Sequence, residues 1–405
     1  LGVTQSVPGD WKLTQIGWIF SLALFFLGAS AAVFGKWVER VGPRKTMFYS
    51  LIFFGGGFII SAVGIWMHNI WVIYAGSGVC GGIGLGLGYI SPVSTLIRWF
   101  PDKPGMATGM AIMGFGGGAM IASPVSVFLM KLFSTENSVG IAETFVVLGI
   151  VYALIMLYGV FQVRIVPENY RVKQDNEDSR STENQELNAG VEADVAIKTP
   201  QFYLLFFVLM LNVTAGIGVL GQASLMIQES FEDIDADFAA GFVVILSLFN
   251  MVGRFVWSSL SDYIGRKNTY NIFFVLGCIL FLCIPWLSGQ NNLYMFIGAF
   301  CVVLSMYGGG FATIPAYIRD VFGTLQVGAI HGRILLAWST AAIVGPSIIN
   351  YVREYQIEEL HRAPSQAYDT TLYIMAGVLV LGLVSNLMIK PVLKKYFVST
   401  TKNPM

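Results

Sequence analysis

Apolar runs long enough to cross a bilayer recur along almost the whole chain, separated by short polar intervals. A helical span needs about twenty consecutive apolar residues. Such runs fall at about 13–35, 46–67, 71–96, 106–133, 141–165, 202–228, 238–260, 269–287, 292–317, 333–352 and 370–390. The pattern predicts eleven transmembrane helices and an all-α polytopic membrane protein. One polar interval differs in kind. Residues 167–199 are polar, charged and almost without aromatics, which predicts a cytoplasmic linker, disordered in its middle, whose charge runs are simply solvated. It separates an N-terminal part, 1–166, with five spans from a C-terminal part, 200–405, with six.

Composition agrees with a bilayer. Of the 405 residues 55% are hydrophobic and 12% charged, against roughly 25% charged in a soluble domain. Zero net charge gives nothing to attract nucleic acid. Cys80, Cys278, Cys283 and Cys301 all lie in apolar runs, where a buried inert thiol is the ordinary state. His68, His331 and His361 fall near the ends of runs and form no cluster. No metal, no cofactor and no catalytic constellation is expected. Lysine and arginine placement sets orientation. With the loop after the first span in the cytoplasm, that side holds 19 of the 24 Lys and Arg and the opposite side four. The expectation is a multi-pass protein of the plasma or inner membrane with a cytoplasmic C-terminus.

The remaining cation is Arg254, inside the apolar run F-A-A-G-F-V-V-I-L-S-L-F-N-M-V-G-R-F-V-W-S-S-L that begins at Phe238. An arginine at that depth costs about 2.5–3.5 kcal/mol on insertion scales and usually carries a task. It lies eight residues before Asp262, about 12 Å at the helical rise. That is at the limit of what its side chain can reach by snorkelling to the headgroups. A site for an anion is therefore the reading favoured over a headgroup contact.

The chain also repeats itself. Glu39 and Asp262 are 223 residues apart, as are Gly42 and Gly265, Pro92 and Pro315, Gly105 and Gly328, and Gly109 and Gly332. A constant offset marks an internal repeat. The loop G-K-W-V-E-R-V-G-P-R-K at 35–45 follows the first span, whereas its partner S-S-L-S-D-Y-I-G-R-K at 258–267 follows the second span of its part. The repeat thus implies two six-helix halves with the first helix missing, and a chain without that helix is expected not to transport. In both loops a carboxylate at a helix end is placed to be held by cations and by a neighbouring helix N-terminus. Glu39, Arg40, Arg44, Asp262, Arg266 and Lys267 are the candidate conformational latch.

These paired loops resemble the signature of the major facilitator superfamily. Within it the chain is similar to the oxalate/formate antiporter family, relatives of the monocarboxylate transporters. The pieces are R-W-F-P-D-K-P-G-M-A-T-G at 98–109, K-T-P-Q-F-Y at 198–203 and R-D-V-F-G-T at 319–324. The resemblance implies a cavity between two pseudo-symmetric halves near the bilayer midplane. It puts Arg254 where that family keeps its substrate arginine, and Tyr89, Tyr307 and Phe311 at pocket aromatics, with Phe115 in place of a tyrosine. Two departures matter. Trp338 stands where the oxalate transporters carry a second cation, a lysine; one arginine suits one carboxylate. Asn250, one turn before Arg254, replaces the aspartate of proton-coupled relatives and cannot carry a proton, though it can orient the guanidinium.

The expectation is secondary transport of a small organic anion, a monocarboxylate, by alternating access and exchange, in a monomer whose partners are the anion and the lipid bilayer. A proton-coupled symporter and a dicarboxylate or formate antiporter remain as alternatives. A non-transporting sensor is disfavoured by the short linker, and an enzyme by the absence of an ionisable pair in the spans. The glycines at 81–88 lack a strand–helix context for nucleotide binding and predict close helix packing.

Overall fold

The computed structural model describes residues 11, 13–135, 138–166, 190–231 and 234–398. Among them eleven helices are long and apolar enough to cross a membrane. They are α1 (Leu13–Val41), α2 (Pro43–Trp66), α3 (Ile70–Trp99), α4 (Pro104–Phe133), α5 (Ile141–Gln162), α6 (Pro200–Ser230), α7 (Ala236–Ile264), α8 (Arg266–Gly289), α9 (Leu293–Phe322), α10 (Val327–Glu358) and α11 (Asp369–Met388). The protein is an all-α polytopic membrane protein. Large apolar side chains stand exposed along its outer surface, among them Ile121, Ile155, Tyr158 and Leu381 at 60–73%. That surface suits hydrocarbon rather than water.

The helix boundaries follow local chemistry. Gly42 and Gly265 both adopt positive φ, 86° and 85°, a turn open to glycine without strain. α2, α4 and α6 each begin on a proline, whose missing N–H is no loss in the first helical turn. Asp235 caps α7 by accepting from the Phe238 amide, and Asn292 caps α9 by accepting from Met295. The glycines of α3 pack as expected: a Cβ added at Gly82, Gly84 or Gly86 would lie 2.2–2.6 Å from atoms of α1 or α2.

The middle of the linker, 167–189, lies outside the described residues. Its last ten residues do not behave as a solvated run. Gly190–Val191 (β1) pairs antiparallel with Phe397–Val398 (β2), and a helical turn follows at Ala193–Ala196. Val191, Ala193 and Ala196 are fully buried, because alternate small apolar residues in this stretch meet the loop-side ends of α9 and α10. The expectation of solvated charge here is corrected at Asp194, described below.

Two sets of helices, α1–α5 and α6–α11, meet through α1 against α10, α4 against α7 and α9, and α3 against α10. Hydrogen bonds join them from the middle of the bundle to the ends that carry the charged loops. Ser339 donates to the Leu24 carbonyl at 2.7 Å, Thr108 to the Ala312 carbonyl at 3.0 Å, and Arg319 to the Pro101 carbonyl at 2.7 Å. On this loop side the two sets are closed on each other.

Candidate functional site

Arg254 lies on the face of α7 that packs against α4, and it is 3% exposed. Close contact is possible because α4 is glycine there; a Cβ at Gly116 would lie 2.9 Å from the Arg254 Nε. The guanidinium donates from Nε to Asn250 Oδ1 at 3.0 Å and from Nη1 to the Ile112 carbonyl at 3.4 Å. Among the described residues no carboxylate pairs with it. Its remaining company is aromatic: the Phe311 ring centre is 5.1 Å from the guanidinium carbon and the Phe115 ring centre 5.6 Å. Ring faces stabilise a desolvated cation by about 2 kcal/mol but do not neutralise it. The arrangement leaves a buried positive charge with no counter-ion among the described residues.

The aromatic residues singled out in the sequence converge here. Phe311 stacks at a tilt with Tyr89 (5.4 Å) and Trp338 (5.2 Å), and Phe115 lies edge-on to Tyr89 (6.3 Å) and Trp338 (5.9 Å). Tyr89, Phe311, Tyr307 and Trp338 are buried, whereas Phe115 is 40% exposed. Tyr307 lies within electrostatic range of Arg254. The Tyr89 hydroxyl is buried with no hydrogen-bond partner.

The two loop carboxylates grip helix N-termini of the opposite set. Asp262 Oδ1 and Oδ2 accept from the amides of Gly105 and Met106 at 2.9 and 2.8 Å, at the start of α4. Glu39 Oε1 accepts from the Gly328 amide at 3.0 Å, at the start of α10. Arg266 binds Asp262, with Asp320 at 3.4 Å, and Arg98 binds Glu39. A carboxylate on the unsatisfied amides of a helix start is favoured by hydrogen bonding and by the helix dipole alike. Among the described residues the four cations expected in this latch make no bond between the sets, Arg266 included, since both its acids belong to its own set. Arg44 donates to the carbonyls of Val163 and Phe161 at the end of α5, Lys267 to those of Leu387 and Ile389 at the end of α11, and Arg40 is exposed. Helix C-termini, rich in free carbonyls, take these cations within their own set.

Two groups at this interface escaped the sequence reading. His331, expected near the end of a run, is the fifth residue of α10, which starts at Val327 rather than near 333; it is 1% exposed, with its ring 5.5 Å from Tyr89. Asp194, in the linker tail, binds both Lys36 of α1 and Arg333 of α10. Hydrogen bonds from Lys36 and then Arg333 hold its carboxyl down at about 2.

The Major Facilitator Superfamily family model matches residues 5–346, and again 205–396. The chain belongs to that superfamily, and fold and family together define a transporter rather than an enzyme: secondary transport of a small solute by alternating access. Among curated proteins it is 27% identical over 82% of its length to the uncharacterized MFS-type transporter YhjX of Escherichia coli, covering 78% of that protein. It is 26% identical to the oxalate:formate antiporter of Oxalobacter formigenes, over 82% of this chain and 75% of that one. It is 22% identical to apicoplast pyruvate carrier 1 of Toxoplasma gondii, over 81% and 68%. Among solved structures the E. coli fucose:proton symporter FucP superposes with TM-score 0.67 at 12% identity, covering 93% of this chain and 90% of that one. The proton:xylose symporter XylE does so with TM-score 0.66 at 16% identity, over 93% and 87%.

Proposed function

We propose that the protein transports a small organic anion, a monocarboxylate, across the plasma or inner membrane. It works as a monomer of two pseudo-symmetric halves, 1–166 and 200–405, joined by the cytoplasmic linker 167–199. The observation that carries this is the buried Arg254, which has hydrogen-bonding partners but, among the described residues, no carboxylate. A buried cation without a counter-ion is costly, and a carboxylate substrate relieves the cost through a two-pronged contact. Asn250 orients the guanidinium, and Tyr89, Phe115, Tyr307, Phe311 and Trp338 form the wall. The names of the oxalate:formate antiporter and the pyruvate carrier, both of organic anions, support the substrate class. Exchange of one anion for another is the proposed mode, because Asn250 stands one turn from Arg254 where an acid would take a proton. Glu39, Asp262 and Arg266 close the cytoplasmic side, with Arg40, Arg44 and Lys267 buttressing the same loops.

The test is counterflow of labelled monocarboxylates by the full-length protein in proteoliposomes. Arg254→Ala is expected to lower uptake by roughly a hundredfold, the worth of two charge-assisted hydrogen bonds, with membrane insertion intact. Arg254→Lys recovers little, since an ammonium lacks the fork. Uptake of ordinary affinity in Arg254→Ala would put the anion site elsewhere.

A further inference from the structure

Between the aromatic layer and the latch lies one imidazole. His331 comes three residues after Gly328, whose amide Glu39 holds, and seven before Trp338. Its Nε2 is buried without a hydrogen-bond partner, and so is the hydroxyl of Tyr89, whose ring it meets at 5.5 Å. Two polar atoms from opposite sets of helices are thus left unsatisfied at one contact. Such groups are rare in native interiors and mark places where something comes and goes.

The titratable and charged groups facing this point are few. α1 brings Glu39, already committed to the Gly328 amide and to Arg98 at the end of α3. α3 also brings Tyr89. α9 brings Tyr307, and Arg254 of α7 lies against the ring of Phe311, which itself meets Tyr89. On α10 itself Arg333 turns away to Asp194. The acids of α6 and α11, Glu229 and Asp369, stand at the far ends of those helices.

We propose that His331 is a proton-binding site governed by the latch, neutral while the loop side is closed and protonated when it opens. In the closed state an imidazolium would be buried with its Nε2 lacking a partner, a placement that disfavours the charged ring. Parting α1 from α10 breaks the Glu39–Gly328 bond, lets water reach the ring and frees a carboxylate about one helical turn away. Both changes favour the proton. Proton binding and opening therefore support one another, so acid on the loop side favours the open state. The proton is taken up and returned on that same side, which makes His331 a switch on the return step rather than a carrier. The inference rests on alternating access and not on which anion is carried.

The test places spin labels at the exposed residues Lys45, in the first turn of α2, and Lys390, just past α11, with the four native cysteines replaced, and measures their separation in nanodiscs from about pH 8 to about pH 5.5. The expected result is growth of the longer-distance population by up to roughly tenfold per pH unit below a midpoint near the ordinary histidine value of about 6.5. His331→Gln and His331→Phe, which stay neutral throughout, flatten the profile. A flat profile in the unsubstituted protein overturns the proposal on its own, as does an unchanged pH response in either variant. Arg254-dependent anion binding is measured in the same samples. Its loss beside an intact pH response would sink the anion reading and leave this one standing.

Discussion

Ala31 and Arg254 stand 223 residues apart, the repeat distance of the chain, and the structure treats them as equivalents. A Cβ added at Gly332 would press on the Ala31 carbonyl at 2.2 Å; one added at Gly109 would press on the Arg254 carbonyl at 2.8 Å. The backbone contact is repeated, but one position carries a methyl and the other a guanidinium. Phe115 and Trp338, another pair at the same spacing, both carry large rings, which meet edge-on at 5.9 Å. The repeat therefore conserves packing while charge is placed on one side only. An anion would be gripped from the second set of helices and covered from the first, which lets the grip and the cover separate when the sets rock apart.

The latch shows the same divergence in milder form. Asp262 takes two amides and a buried arginine, and its side chain is 5% exposed. Glu39 takes one amide, and its partner Arg98 is 45% exposed. Hydrogen bonds to charged groups contribute about 1.5–3 kcal/mol each, whereas exposed pairs contribute about 0–1. Asp262→Asn is expected to open the loop side roughly tenfold more than Glu39→Gln. Labelling of a thiol from that side, at Ser94→Cys beside the Gly328 contact, reads this out. Equal labelling rates in the two variants would break the claim that the latches differ in strength.

How much of this was legible in the sequence depended on how each residue announces itself. Arg254 is a charge in an apolar run, and Glu39 and Asp262 recur at a fixed offset, so pattern alone exposed them. Arg44 and Lys267 share the motif but bind carbonyls within their own sets, because a cation's choice among nearby acceptors is settled by geometry. His331 does lie in the opening turns of α10, but its burial against Tyr89 is a tertiary contact that the run of residues around it does not announce. Asp194 was hidden in a polar run whose composition reads as solvated, although its neighbours Val191, Ala193 and Ala196 are the small apolar residues that dock it.

Trp338 sharpens the comparison of grip and cover. Its ring closes over Phe311 at 5.2 Å, so a second negative charge on a substrate would meet a ring face with no counter-ion. Trp338→Lys is expected to shift the ratio of inhibition constants for oxalate and a monocarboxylate by roughly tenfold toward oxalate, about the worth of one partly desolvated ion pair. Competition against a labelled monocarboxylate measures it. An unchanged ratio with normal expression would show that charge preference is set elsewhere in the wall.

The smallest effect is expected at Asp194, a contact between the sets supplied by the described part of the linker. It binds Lys36 and Arg333 at once, but its side chain is 56% exposed, so solvent and salt screen both pairs. Because its partners hold the carboxyl down at about 2, the clamp is complete above the ordinary carboxylate value of about 3.9 and is lost only as pH falls toward 2. Across the working range it should show no pH dependence, in contrast to His331. Asp194→Asn is expected to raise thiol labelling at Ser94→Cys by less than about threefold at low salt, with the difference vanishing near 1 M salt, where the Debye length shrinks to about 3 Å. The buried Asp262 grip, measured alongside, should keep its effect at the same salt concentration. If Asp194→Asn instead opens the gate as far as Asp262→Asn and resists salt, the linker tail is a principal latch and the two helix-start contacts are secondary to it.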